Sequence, residues 1–254
     1  MTEHPARLLV RTDWLAHHLS DPALRIVDTR KGDGYVPAHI PGAVALGVSP
    51  LLHDAGDVIA AEDFAAPMSR LGIGSDTMVI AYDDGNNLFA ARLWWVLNYY
   101  GYDKVRVLDG GWDLWVAEGR PVDSGMVTPV AAQLELQRNA ALIADTDNVL
   151  ASLRKSESQL LDVRTDAEWT RTDSTGSTMP GHIPSAVHLV WSDVIDPESH
   201  RFREPCDLKK MFGEVGVRPD NEVITYCQGG IRAAHTVFAL RLAGFPAVRN
   251  YEGS

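Results

Sequence analysis

The chain repeats its own pattern, and that repetition limits it to folds built from two similar units in tandem. Residues 7–30 overlie residues 140–164 with a constant offset of 134: Leu8 meets Leu142, Thr12 meets Thr146, Asp13 meets Asp147, and Asp28-Thr29-Arg30 meets Asp162-Val163-Arg164. His39 then meets His182 at an offset of 143, nine more, because a polar segment, TRTDSTGSTMP (170–180), occurs in the second half alone. There AHIPGAV (38–44) overlies GHIPSAV (181–187). Further on, MVIAYDDGNN (78–87) overlies VITYCQGG (223–230), and GYDKVRVLDGG (101–111) overlies GFPAVRNYEGS (244–254). Four matched blocks in one order point to a duplicated unit.

Each half alternates strand-like and helix-like patterns. In the second, QLLDVR (159–164), AVHLV (186–190), EVITY (222–226) and AVRN (247–250) are short apolar or β-branched runs bounded by Gly, Pro, Asp or Asn, which read as strands. Residues 206–215 and 231–243 have helical spacing, with Ala234, Phe238 and Leu242 four apart on one predicted buried face. Alternation of this kind predicts an α/β fold, each unit a mostly parallel sheet with helices on both faces. Ligands of such sheets sit beyond the carboxyl ends of the strands. A polar stretch without periodicity separates the halves, so the expected organisation is a first unit at 1–122, a linker at 123–140 and a second unit at 141–254.

With 34 acidic against 23 basic side chains the formal net charge is −11. Such a surface repels phosphate backbones, and no local Lys/Arg run offsets it, so nucleic acid is not expected as the main partner. An anionic ligand would need its own basic site. The N-terminal MTEHPARLLV carries an acid early and lacks the apolar core of a secretory signal, and no apolar run approaches the roughly 18 residues that span a bilayer. The expectation is a soluble, cytoplasmic protein without a membrane partner. Cys206 and Cys227 are read as free thiols. The nine histidines and two cysteines show no zinc spacing, and neither metal nor cofactor is expected.

The halves differ most in the loop after the strand ending at Tyr82 or Tyr226. The first has Asp83-Asp84-Gly85-Asn86-Asn87; the second has Cys227-Gln228-Gly229-Gly230-Ile231-Arg232, leading directly into a helix. Glycines let successive N–H groups converge on one point, the helix dipole adds positive potential there, and Arg232 adds a full charge. That setting favours the thiolate, the nucleophilic form. The plain alternative is a buried structural cysteine. Cys206, in REPCDLKKMF at a helix start, has no glycine cradle and reads as structural.

The duplicated unit, the Asp-x-Arg strand ends, the turn His39-Ile40-Pro41-Gly42-Ala43 and the Tyr226-Cys227-x-x-Gly230-x-Arg232 loop resemble the tandem-domain rhodanese sulfurtransferases, over essentially the whole chain. The resemblance implies two rhodanese-like domains, an inactive first copy and a catalytic second one, which fits Asp83 standing where the first copy would need a thiol. It further implies that Cys227 takes the sulfane sulfur of a small anionic donor such as thiosulfate, holds it as a persulfide, and passes it to cyanide or to a thiol, including a thioredoxin-like one. The amides from Gln228, Gly229, Gly230 and Ile231 to Arg232 would stabilise the persulfide, and by the same resemblance Arg164 would bind the donor. Arg164 has an alternative, a structural pair with Asp162 or Glu168, because Arg30 occupies the equivalent place without a thiol.

Several departures leave other readings open. Thiosulfate enzymes of the family usually place basic residues just after the cysteine, and mercaptopyruvate enzymes have Cys-Gly-Ser/Thr-Gly-Val-Thr; Gln228 and Gly229 match neither, so 3-mercaptopyruvate remains an alternative donor. A cysteine phosphatase of this fold needs five residues between Cys and Arg, whereas four stand here, which favours a sulfur atom over phosphate. A rhodanese-fold binding or regulatory protein of low activity is the third reading. Its motivation is that WDLWVAEGRPV (112–122), a closing helix with two tryptophans, has no counterpart after Ser254; the second unit is expected to lack that helix and to be the less stable one. Among the remaining residues His39 and His182 read as structural, His17 and His18 as exposed, Trp94, Trp95, Tyr99 and Tyr100 as core and interface, and His235 as turned away from Cys227.

Overall fold

The strand-like runs of both halves pair in parallel throughout, and the two halves build the same sheet twice. The computed structural model describes residues 8–48, 51, 58–154, 157–173 and 181–253; most of the inserted polar segment, from 174 to 180, lies outside the described residues. The first sheet has strands β1 (Leu9–Val10), β2 (Leu24–Asp28), β3 (Val44–Ala45), β4 (Met78–Tyr82) and β5 (Val105–Leu108), in the order β1-β5-β4-β2-β3. The second has β6 (Ile143–Ala144), β7 (Ser158–Asp162), β8 (Val187–His188), β9 (Glu222–Tyr226) and β10 (Val248–Tyr251), in the order β6-β10-β9-β7-β8. β4 and β9 are central and buried along all but their first residue, as strands covered on both faces must be.

Helices α1 (Thr12–His17), α2 (Ala61–Arg70), α3 (Leu88–Tyr99) and α4 (Gly111–Ala117) cover the first sheet; α5 (Thr146–Ser152), α6 (Asp166–Trp169), α7 (Pro205–Glu214) and α8 (Ile231–Leu242) cover the second. In α4 Trp115 is fully buried, and its indole N–H donates to the Pro121 carbonyl at 2.8 Å. Trp112 is only half-buried and lies under the Arg30 guanidinium, 4.1 Å from its ring centre.

The structure changes one expectation. Spacing in α8 pointed to one buried face, yet every residue from Ala233 to Leu240 is buried. One side of the helix meets its own sheet and the other meets α3 of the first unit, with Phe238 edge-on to Trp94 at 4.9 Å. The stretch after residue 122, read as the linker, is hydrogen-bonded to the first unit. Asp123 and His39 exchange two N–H···O=C bonds of 2.9 Å, and Ala132 and Gln137 donate to Ser69 and Tyr100 at 3.1 and 2.9 Å, so this segment is strapped to the first unit. Among the described residues no helix is long and apolar enough to cross a membrane, and no group of three or more His, Cys, Asp or Glu side chains could hold a metal.

Candidate active site

Asp83 and Cys227 follow directly on the central strands β4 and β9, at the carboxyl ends where parallel sheets place their ligands. The helix after each, α3 or α8, starts from a left-handed N-cap, Asn87 with φ 62° and Gly230 with φ 73°. In the first unit the loop amides have an occupant. Asp83 Oδ1 accepts the N–H groups of Gly85 (2.8 Å) and Asn87 (2.9 Å), and Oδ2 those of Phe89 (2.7 Å) and Ala90 (2.8 Å). Burial nevertheless pushes this carboxyl up to about 6. In the second unit the loop is one residue shorter and the thiol of Cys227 stands in the carboxylate's place.

Glycine is required at position 230 on two counts. Its φ is left-handed, and a Cβ there would collide with the Glu252 carboxylate. Asn250 Nδ2 donates to the Gly230 carbonyl at 2.9 Å and to Glu252 Oε1 at 2.5 Å, and Glu252 is itself gripped by Arg92 of α3. The back of the Cys227 loop therefore rests on the other unit.

Cys227 is 5 % exposed and opens onto a cleft of about 490 Å³. The second unit supplies Thr165, Glu168 and Asp173 to its walls together with Gln228, Gly229, Ile231 and Arg232; the first supplies Lys31, Leu88 and Phe89. Of the residues the sequence singled out, Cys227, Gln228, Gly229, Ile231 and Arg232 thus come together, and Gly230 braces them from behind. Arg164 does not join them. Its Nε and Nη2 lie 3.0 and 2.6 Å from the two Asp162 oxygens, and Nη2 also donates to the Gly181 carbonyl at 2.6 Å. Arg30 does the same in the first unit, with Asp28 and the Ala38 carbonyl. Both Asp-x-Arg strand ends clamp the His-Ile-Pro turn, so the geometry corresponds to the structural alternative weighed for Arg164.

Glu168, not recognised from the sequence as a cleft residue, is the partner of Arg232. The pair is bidentate, with Nη1–Oε2 2.7 Å and Nη2–Oε1 2.9 Å. A capping box at the start of α6 sets the carboxylate: the Thr165 N–H donates to Glu168 Oε2 at 2.9 Å, and the Glu168 N–H to Thr165 Oγ1 at 3.3 Å. The Thr-x-x-Glu spacing is readable in the sequence; its partner is not. The Arg232 hydrogen bonds hold the Glu168 carboxyl down at about 2 against the opposing effect of burial. Burial also opposes the charge on Arg232, but the Glu168 carboxylate and the adjacent Cys227 sulfur outweigh it and raise the guanidinium.

The other candidates lie elsewhere. His39 is buried against Tyr35, with Nδ1 2.9 Å from the Tyr35 carbonyl, while His182 is exposed and stacked on Trp169. Cys206, read as structural, is a free thiol exposed on α7. His235 is fully buried but faces the first unit, its Nε2 3.0 Å from the Asn86 carbonyl and its ring 5.0 Å from Phe202. Burial pushes this imidazole down to about 4. A base whose folded value lies below its unfolded one contributes stability that is present above about pH 6.5 and is lost as pH falls toward 4. Between pH 7 and 4 the native chain is expected to lose about 3 kcal/mol more than a His235→Gln variant. Asp83 and Asp109, both raised to about 6 by burial, act with opposite sign but are common to the two proteins. Parallel denaturation profiles across that range would show that His235 does not titrate on unfolding.

Comparison with known proteins yields a consistent set of matches. The model of the rhodanese-like domain matches residues 11–118 and again 145–254. A thiosulfate sulfurtransferase of Corynebacterium glutamicum is 38% identical over 99% of this chain and 87% of its own length. The sulfur carrier protein TtuD of Thermus thermophilus is 34% identical over 99% of this chain and 93% of its own length. Among solved structures, the 3-mercaptopyruvate sulfotransferase SseA of Escherichia coli superposes with a TM-score of 0.88 at 28% identity, over 97% of this chain and 98% of that one.

Proposed function

Because this chain belongs to the rhodanese family, with two tandem rhodanese-like domains and the sulfurtransferase activity of its relatives, we propose that it moves sulfane sulfur from thiosulfate through a persulfide on Cys227. One observation carries this reading. The loop that holds Cys227 has a twin in the first domain whose amides bind a carboxylate through four N–H bonds, so the loop geometry is built to receive negative charge, and here the atom presented to it is sulfur.

The Cys227 thiolate attacks the outer sulfur of thiosulfate. A new S–S bond forms, the bond to the sulfonate sulfur breaks, and its electron pair leaves with sulfite. Charge is conserved, since one thiolate and one dianion become one persulfide anion and one sulfite dianion. Cyanide then attacks the terminal sulfur, departs as thiocyanate and restores the thiolate; a thiol acceptor in its thiolate form reacts in the same way and leaves as a persulfide. The loop amides and Arg232 face the negative sulfur at each stage. Cys227 is nearly buried, so the attack takes place with little competing water.

Thiosulfate-treated protein is expected to gain the mass of one sulfur atom at Cys227 and to form thiocyanate with cyanide, whereas Cys227→Ser does neither. Sulfur gained elsewhere in the serine variant, or release of phosphate from an aryl phosphate without thiocyanate formation, would overturn the mechanism. Thiosulfate is expected to be turned over with a higher kcat/KM than 3-mercaptopyruvate; the reverse order would make the latter the donor.

A further inference from the structure

Lys31 stands at the carboxyl end of β2, directly after the Asp28-Thr29-Arg30 clamp, and reaches the cleft from the domain that has no thiol. Its ammonium lies 4.7 Å from the centre of the Phe89 ring. That ring is itself buried, 6 % exposed, on a residue whose backbone N–H is bound to the buried Asp83 carboxylate. The lysine is therefore held over the cleft by an aromatic face, and among the described residues it has no carboxylate partner.

The other cations near Cys227 are committed. Arg164 is locked to Asp162 outside the cleft, and Arg232 is bidentate with Glu168. Asp173 adds a second carboxylate to the lining. Formally Lys31 and Arg232 balance Glu168 and Asp173, so with the Cys227 thiolate counted an incoming dianion meets a net negative cleft, and Arg232 offers it a charge already compensated at 2.7 Å.

We propose that Lys31 recognises the anionic end of the sulfur donor, so that the thiol-free domain supplies donor specificity to the thiol of the other. This rests on the reading of Cys227 as the sulfur acceptor. The sulfonate end of the donor faces the ammonium and the sulfane sulfur faces Cys227, which orients the molecule for attack. The aromatic contact restricts the lysine without neutralising it, whereas a carboxylate partner would cancel the charge the donor needs.

The test separates binding from chemistry. Thiosulfate binding is measured by calorimetry on Cys227→Ser protein, which cannot accept sulfur, and on the same protein also carrying Lys31→Met or Lys31→Arg. Methionine is expected to weaken binding about tenfold, the size of one charge-assisted contact, and arginine to restore most of it. Added salt should weaken binding to the lysine protein more than to the methionine one. Equal affinity with methionine, or no thiosulfate binding by any of the three, overturns the proposal. In parallel, sulfur loading of Cys227 is followed by mass spectrometry in the otherwise native chain and in Lys31→Met. The same final mass, with half-saturation at about ten times the thiosulfate concentration, is the expected split. Unchanged half-saturation counts against Lys31 alone; no mass gain in the native chain counts against the Cys227 reading, and calorimetry then still decides Lys31.

Discussion

Replacing Arg92 by leucine is expected to destabilise the protein by about 3 to 5 kcal/mol, the usual cost of leaving one member of a buried ion pair without its partner. Arg92 and Glu252 are 0 and 1 % exposed at the side chain, and Nη1–Oε1 and Nη2–Oε2 distances of 2.5 and 3.1 Å make the pair bidentate. The pair crosses from α3 of the first domain to the segment just after β10 of the second. The energy at stake is not the net worth of the pair, since a well-packed apolar substitute is often equally stable. It is the penalty for a carboxylate left without its cation, buried behind the Cys227 loop. At the roughly 2 to 4 °C per kcal/mol typical of chains this size, the melting temperature should fall by about 10 °C. Replacing Glu252 by leucine as well should recover much of that loss. A single Arg92→Leu variant that melts within about 2 °C of the native chain would show that Glu252 finds another partner.

Gly230→Ala is expected to abolish most sulfur loading and to lower stability by about 2 to 3 kcal/mol. The left-handed φ of 73° is strained for any residue with a Cβ, and that Cβ would sit on the Glu252 carboxylate. Two responses are open. The loop can move forward, which displaces the start of α8 and the amides facing Cys227, or Glu252 can move back, which breaks its contacts with Arg92 and Asn250. Both Gly230→Ala and Arg92→Leu disturb the same carboxylate, so their stability losses should not add. Full persulfide formation by Gly230→Ala would show that the cradle does not depend on this backbone conformation. Additive losses in the double variant would show that the two contacts with Glu252 act independently.

Much of the fold was legible because its signals are local. The run EVITY and the spacing after Ile231 mark β9 and α8 almost to the residue, since a buried strand and a helix start leave their patterns within a few positions. The loop carrying Cys227 was legible for the same reason: thiol, glycines and helix start are contiguous. Arg164 was not. The Asp-x-Arg spacing is equally compatible with a donor-binding arginine and with a clamp on Asp162, and the choice depends on the Gly181 carbonyl, 17 residues away. Glu168 entered the sequence reading only as a possible partner of Arg164; its pairing with Arg232 spans 64 residues, and no periodicity encodes that distance.

By itself, then, the sequence determined two tandem α/β domains with a thiol at the carboxyl end of a strand in one and a carboxylate at the equivalent place in the other, because strand, helix and loop chemistry are written in neighbouring residues. Tertiary structure alone decided which charges meet. Docking α3 against α8 brought Arg92 to Glu252, Asn86 to His235 and Lys31 to the mouth of the Cys227 cleft. Those contacts join side chains from opposite halves of the chain, and only the packing of two sheets and their shared helical layer fixes the distance between them.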